Sequence, residues 1–394
     1  MEFPEEKYYR LNYALLASIG LWPYYNSSIN QIQVILSLSI YITFITSQLI
    51  QLFVVKYTFD LLLEVLSFDF LIMAWIAKYI TFYAVMKNIK KFQKLVHDNW
   101  SILMDDQEID IMRKYTKNGK LFTIIIATLV YCGILIYISL QYIPDLLDIV
   151  MPLNESRPRK LFTQMGYFVD QQKYFHVLAI YLNIVIFLTT TTGVATESFS
   201  LINAVHAFGL FKITSYRIKH LLSENAQQIC IAKKYAIFHH RIIAAVNVHR
   251  RALELSELLK TTFGRSYLLV IMIIVCSGSI NLFHLSRIIT MEQKNTLDIV
   301  KSILFIFCHF LFLILGNFAG QEFINCSNYV HQTICDTEWY NAPLKAQQLI
   351  LFLLQKTTKS YRVDAGGMFS PCLEGLVGTM SLLFSFFTVL NSVK

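Results

Sequence analysis

The chain has 394 residues, of which 55% are hydrophobic and only 15% charged, with a formal net charge of +8. That balance is too apolar for a soluble domain and points to an all-α protein that crosses a membrane several times. The positive excess does not indicate nucleic acid, because the basic residues gather in particular segments between apolar runs. The seven cysteines show no CxxC spacing, so neither a zinc site nor a redox pair is expected, and a disulfide framework is not either.

The first residues, MEFPEEKYYR, are charged and mixed, without the short apolar core and small-residue cleavage site of a secretory signal. The first apolar run is therefore expected to remain as a membrane span. Seven spans are predicted, at Gln31–Phe53, Leu62–Met86, Leu121–Tyr142, Tyr174–Ala204, Tyr267–Ser286, Ile299–Phe318 and Cys372–Asn391. Each is near the ~20 residues that a bilayer requires.

Charge between the spans sets the orientation. Lys87–Lys120 holds eight Lys/Arg and Lys212–Arg265 holds ten, whereas the loop from 143 to 173 balances four basic against four acidic residues. The positive-inside rule places the two basic segments in the cytoplasm, which puts the N-terminus inside and the C-terminus outside. That topology is opposite to a G-protein-coupled receptor, and the Asp-Arg-Tyr and Asn-Pro-x-x-Tyr signatures of that class are absent. Sequons occur at Asn26, Asn99, Asn154 and Asn325, and only Asn154 falls on the side predicted to be outside, making it the expected glycan site.

The basic segment AKKYAIFHHRIIAAVNVHRRALELSELL repeats apolar residues at helical spacing. It reads as a helical extension of spans 4 and 5 beyond the membrane. Span 6 continues in the same way through QEFINCSNYVHQTICDTEWY. The organisation that follows is a cytoplasmic segment 1–30, spans 1–4 over 31–204, a cytoplasmic helical extension 205–266, spans 5–6 over 267–318, cytoplasmic anchor helices and a loop over 319–369, and span 7 over 370–394.

Polar groups also enter the spans: Glu64, Asp69 and Lys78 in span 2, and Asn183, the Thr189–Thr192 run and Glu197 in span 4. Asp69 and Lys78 are too far apart to pair along one helix; interhelical hydrogen bonding or snorkelling near the ends is the expected use of these groups, with an ion path as the other reading. The outer halves of spans 2, 3, 4 and 6 are aromatic and apolar, with Phe68, Phe70, Leu71, Val130, Gly133, Tyr137, Leu178, Leu182, Phe305 and His309 as the candidate lining of a small-molecule pocket. Plain core or lipid contact stays open for each of them. No HExxH, GxGxxG, Walker A or GxSxG motif appears, so neither an enzyme nor a cofactor or metal site is expected.

The last 55 residues hold a leucine-rich segment Pro343–Thr358, the loop KSYRVDAGGMF, and an apolar run with Ser370 as its predicted N-cap and Pro371 at the first helical position. In that run Glu374, Gly378, Ser381, Ser385, Thr388 and Ser392 recur at spacings of 4, 3, 4, 3 and 4, which sets all six on one helix face. Close packing against a neighbour and the lining of a water-filled path both fit such a stripe. Leu382 and Leu383 fall off the stripe and are expected to be buried.

The chain resembles an insect odorant receptor. The resemblance rests on Trp339 and Tyr340 with Pro343, the leucine- and glutamine-rich segment ending at Lys359, Ala365, Gly366 and Gly367 with Phe369, and the closing Phe387, Thr388, Val389 and Leu390. The Thr-Tyr and Gln-Phe endings of gustatory receptors, the alternative family with this fold, are replaced by Phe386-Phe387 and by Ser392-Val393-Lys394. The long insertion of the shared co-receptor between spans 4 and 5 is also missing.

The resemblance implies an odorant-specific subunit of a ligand-gated, non-selective cation channel. It implies four subunits, the odorant co-receptor among them, around one pore lined by span 7. The expected partners are that co-receptor, a small volatile ligand, permeant cations and membrane lipid, with no nucleic acid. The expected location is the plasma membrane of the olfactory neuron dendrite. By position Ser381, Ser385, Thr388 and Ser392 would line the pore, and Val389 and Val393 would form its gate around Ser392, where the co-receptor has a larger amide.

Overall fold

A computed structural model describes residues 6–24, 27–54, 59–103, 105–151, 157, 161, 171–221, 231–290 and 296–392. The described residues form eleven α-helices: α1 (Arg10–Ser18), α2 (Ser27–Val54), α3 (Phe59–Ala84), α4 (Met86–Trp100), α5 (Asp106–Gln141), α6 (Ile143–Val150), α7 (Phe175–Lys219), α8 (Ile231–Thr290), α9 (Thr296–Asp336), α10 (Leu344–Thr357) and α11 (Leu373–Ser392). Seven of them (α2, α3, α5, α7, α8, α9 and α11) are long and apolar enough to cross a membrane, and they carry the seven predicted spans in order. Asn154 and Val393 lie outside the described residues.

Four of the seven are far longer than a bilayer. α5, α7, α8 and α9 run for 36, 45, 60 and 41 residues, against roughly 20 for a span. Their excess length gathers at the end that carries the lysines of α4, called here the basic end. The excess stays helical because it is amphipathic and finds a core. Ile89, Phe92 and Val96 of α4, Leu16 of α1, Phe208 and Phe211 of α7, Val248 and Leu255 of α8, Val330 and Ile334 of α9 and Ile350 and Leu353 of α10 join one large apolar cluster. α5 begins where the Asp105 side chain accepts a 2.7 Å hydrogen bond from the Glu108 N–H, satisfying one of the amides that a helix start leaves open.

α10 buries Ala346, Ile350, Leu353 and Thr357 at spacings of 4, 3 and 4, while Leu344, Leu351 and Phe352 are exposed on its far side. The loop after α10 is folded back on itself. Ala365 N–H donates to the Phe369 carbonyl at 2.7 Å, and Gly367 N–H to Asp364 Oδ1 at 2.8 Å. Gly366 and Gly367 have φ of 66° and 77°, the left-handed region where a side chain is disfavoured. The loop is held to the bundle by Tyr361, whose N–H donates to Ser327 Oγ at 2.9 Å and whose hydroxyl reaches Glu257. Burial, and then the Glu257 charge, push the Tyr361 phenol up, so it stays protonated.

The start of α11 departs from expectation. Ser370 is not its cap and Pro371 is not its first residue: the helix begins at Leu373. The Ser370 hydroxyl instead donates to the Val363 carbonyl at 2.9 Å. α9 supplies the caps, with Asn317 Oδ1 accepting from Cys372 N–H at 3.1 Å and Gln321 Oε1 accepting from Leu373 N–H at 3.3 Å. Tertiary acceptors therefore replace the local one.

Candidate functional site

One cavity of about 510 Å³ runs down the bundle between α3, α5, α7 and α9 and reaches α8 and the loop before α11, a volume in the range of small-molecule sites. Helical periodicity builds its walls. Ile126, Val130, Gly133 and Tyr137 of α5 recur at spacings of 4, 3 and 4, so one face of that helix meets the void. α3 contributes Phe68, Leu71, Ile72 and Trp75, and α9 contributes Phe305, Cys308 and Phe312.

The end of the cavity away from the basic end is closed by aromatic packing. The Phe68 and Phe305 ring centroids lie 5.4 Å apart, Tyr137 stacks on Phe305 at 6.1 Å, and Phe44 backs Phe68 at 5.7 Å. At mid-depth Trp75 lies against α7, where a Cβ on Gly193 would come 3.3 Å from its ring atoms, so the absent side chain lets the indole approach. Trp75 also meets Phe312 edge-on at 5.6 Å. At Gly133 an added Cβ would meet nothing within 4 Å, so this position opens on free space.

Deeper, the wall becomes polar. Lys78 Nζ pairs with Glu197 Oε1 at 2.5 Å, with the lysine side chain only 2% exposed. The ammonium lies 5.7 Å from the Tyr267 ring centroid and 5.8 Å from that of Phe312. A charge this deep requires a partner and gains from ring faces. The interhelical use expected of the intramembrane polar groups is seen here. It is seen again where Tyr41 and Tyr131 hydrogen-bond to Thr192 and Thr191 at 2.9 and 3.0 Å.

Six of the candidate pocket residues line the cavity: Phe68, Leu71, Val130, Gly133, Tyr137 and Phe305. Four do not. His309 is buried and turned to α8, its Nε2 within 2.8 Å of Ser277 Oγ and its Nδ1 within 2.6 Å of the Phe305 carbonyl. Leu182 packs behind the wall with Phe44 and Val185, Leu178 packs with Leu161 and Phe175, and Phe70 is not part of the lining. Sequence reasoning passed over Trp75, Gly193 and Tyr267 as lining, and Lys78 and Glu197 as partners. The only signal for the last two was the cost of leaving either charge alone in an apolar span.

α11 lies on the side of the bundle against α8 and α9. Leu383 is buried in the cluster of Val270, Ile274 and Leu313, and its carbonyl accepts from Ser279 Oγ at 2.8 Å. The polar stripe faces away: Glu374, Gly378, Ser381, Ser385, Thr388 and Ser392 are all exposed. Val389 is exposed beside it at 58%. Leu382, expected to be buried with Leu383, is 47% exposed, because a step of ~100° on the wheel carries it off the α8-facing side.

A family model described as 7tm Odorant receptor matches residues 58–384. Two solved structures are similar in fold: the insect olfactory receptor OR5 from Machilis hrabei in complex with eugenol, with a TM-score of 0.79, and the same receptor without that description of a complex, with a TM-score of 0.73. Each shares 12% identity, covering 99% of this chain and 98% of the other. No curated protein matches the sequence.

Proposed function

The chain belongs to the 7tm odorant receptor family, and from that premise we propose that it is the odorant-binding subunit of a ligand-gated cation channel, assembled with the odorant co-receptor. The observation that carries the proposal is the aromatic-roofed cavity between α3, α5, α7 and α9, of a size and apolar character suited to a small volatile. The Machilis receptor of the same fold is found in complex with eugenol. Gly133 is the lever. Gly133→Leu fills open space on the α5 wall and is expected to raise the half-maximal odorant concentration about tenfold or more, as overpacking a fitted site does, with surface expression unchanged. A dose–response curve that overlays the wild type would remove Gly133 from the site.

The proposed channel has four subunits, with α11 of each lining the pore and the uncovered apolar face of α10 packed against neighbouring subunits. It sits in the plasma membrane of the olfactory neuron dendrite, surrounded by lipid and conducting cations non-selectively. Its basic end faces the cytoplasm, supported by the lysines of α4 and the arginines of α8. Glycosidase treatment tests this orientation. Asn154→Gln is expected to abolish any mobility shift of the wild-type chain. A glycan on Asn99 would reverse the orientation and also conflict with the burial of that side chain, which Arg251 Nη1 reaches at 3.3 Å.

A further inference from the structure

Near its end, α9 sets a thiol beside a base. Cys335 is exposed and follows Ile334, the last residue of α9 in the apolar cluster of the basic end. His331 stands one turn earlier on the same face, with Nε2 3.7 Å from the Cys335 sulfur. Its other ring nitrogen, Nδ1, lies 3.0 Å from the hydroxyl oxygen of Thr357 on α10. That hydroxyl has one proton, and it is spent within α10, 3.0 Å from the Leu353 carbonyl and 3.1 Å from that of Leu354. Thr357 Oγ1 therefore only accepts from the ring. In the neutral imidazole the proton then sits on Nδ1, and Nε2 is left bare toward the thiol. Thr357 is buried, which holds the orienting oxygen in place. A thiol, a base within its reach and a third group that orients the base are the parts of an activated nucleophile.

The other described cysteines lack this arrangement. Cys326 and Cys372 are buried, and Cys132, Cys276 and Cys308 fall within the apolar spans of α5, α8 and α9. Cys326 faces an acid, its sulfur 3.5 Å from Glu322 Oε1, and burial followed by that charge pushes its thiol up. We propose that Cys335 is a site of covalent modification by soft electrophiles of the α,β-unsaturated carbonyl class, with His331 as its base and Thr357 as the residue that positions the base. Nε2 takes the thiol proton while the sulfur adds to the β-carbon of the electrophile. The C=C electron pair moves to the α-carbon, which then takes the proton from Nε2. One S–C bond is formed, nothing leaves, and no oxidant is used. The last α9 residue on the cavity wall is Phe323, twelve positions before Cys335 and so about 18 Å away along the helix. The adduct therefore forms apart from whatever the cavity binds, where α9 meets the last turn of α10.

The test is brief labelling of permeabilised membranes holding the full chain with N-ethylmaleimide, itself an α,β-unsaturated carbonyl. Peptide mass spectrometry reads each cysteine separately, including Cys230, which lies outside the described residues. Cys335 is expected to react about tenfold faster in the folded chain than in the urea-unfolded chain, as a nucleophile with a base at hand does. His331→Asn should remove that advantage. Thr357→Val should lose about two- to threefold, the cost of a base no longer held in place, and Thr357→Ser should restore the wild-type rate. Continued protection of the buried Cys326 and Cys372 in each variant reports that it is folded. Prior exposure to trans-2-hexenal, a volatile of the same chemical class, should block the maleimide at Cys335. A folded Cys335 that reacts no faster than the unfolded one, or whose rate His331→Asn leaves unchanged, overturns the proposal. So does a Cys335 that is labelled only after unfolding, the result expected if a neighbouring subunit covers it.

Discussion

Arg217→Met is expected to destabilise the chain by about 3–5 kcal/mol, the cost of leaving one member of a buried ion pair alone. The Arg217 guanidinium grips Glu108 with both arms, Nε to Oε1 at 2.6 Å and Nη2 to Oε2 at 2.7 Å, and both side chains are under 10% exposed. Its remaining donors reach the Ala244 carbonyl at 2.8 Å and the Ile102 carbonyl at 3.2 Å. One side chain on α7 thus ties together the start of α5, the segment before it and the extension of α8. Arg217→Lys should rescue little, since an ammonium is a point donor and cannot reproduce the fork. Glu108→Gln combined with Arg217→Met should recover part of the loss, because the orphaned charge is gone. Thermal midpoints in detergent and surface expression measure all three. A single Arg217→Met variant as stable as wild type would show that the pair contributes nothing net.

Val389→Ser is expected to raise the ligand-free current. By the position that the odorant-receptor resemblance implies, Val389 would form part of a dry constriction at the end of the pore, and hydrophobic rings close a pore by dewetting. The support is geometric: α11 turns Ser381, Ser385, Thr388 and Ser392 away from its own bundle, with Val389 exposed next to them. The hydroxyls of Ser385, Thr388 and Ser392 are bonded back to their own helix, to the carbonyls of Ser381, Ser385 and Val389 respectively, each at 2.8 Å. These three hydroxyls therefore do not serve as glue to another helix among the described residues. Single cysteines at 381, 385, 388 and 392 should let a water-soluble thiol reagent alter the current, while one at 383 should be spared. Leu383→Ala should instead cost about 2–5 kcal/mol through the void it leaves against α8, with a Cβ on Gly278 only 2.8 Å from the Leu383 side chain as a measure of how tight that contact is. Reactivity spread evenly around α11, or confined to its leucine face, would mean that the stripe packs against protein.

The amino-acid sequence alone determined the class and the spans. Hydropathy over ~20 residues is a local sum, so the run from Gln31 to Phe53 needed no knowledge of its neighbours to be read as the core of α2. The extensions of α7, α8 and α9 were legible for a similar reason, since apolar periodicity along AKKYAIFHHRIIAAVNVHRR declares a helix with a face to bury. The α11 stripe was legible as a stripe, because spacing defines a face, but not what that face meets.

Only the tertiary structure decided which residues share a void and which stand behind it. Phe70 and Leu71 are adjacent in sequence and nearly 100° apart on the helix, and it is the rotation of α3 against α5 and α9 that puts Leu71 on the wall and leaves Phe70 off it. His309 looked like lining and is instead spent on Ser277, 32 residues away. Lys78 and Glu197 are separated by over a hundred positions, and their pairing depends on how α3 and α7 are seated. The cap of α11 shows the same limit. Ser370 and Pro371 satisfy every local rule for a helix start, yet Asn317 and Gln321 of α9 present acceptors two residues later, and the chain takes those. Periodicity and hydropathy are properties of a segment, whereas a cavity, an ion pair and a borrowed cap are properties of how segments are rotated against one another.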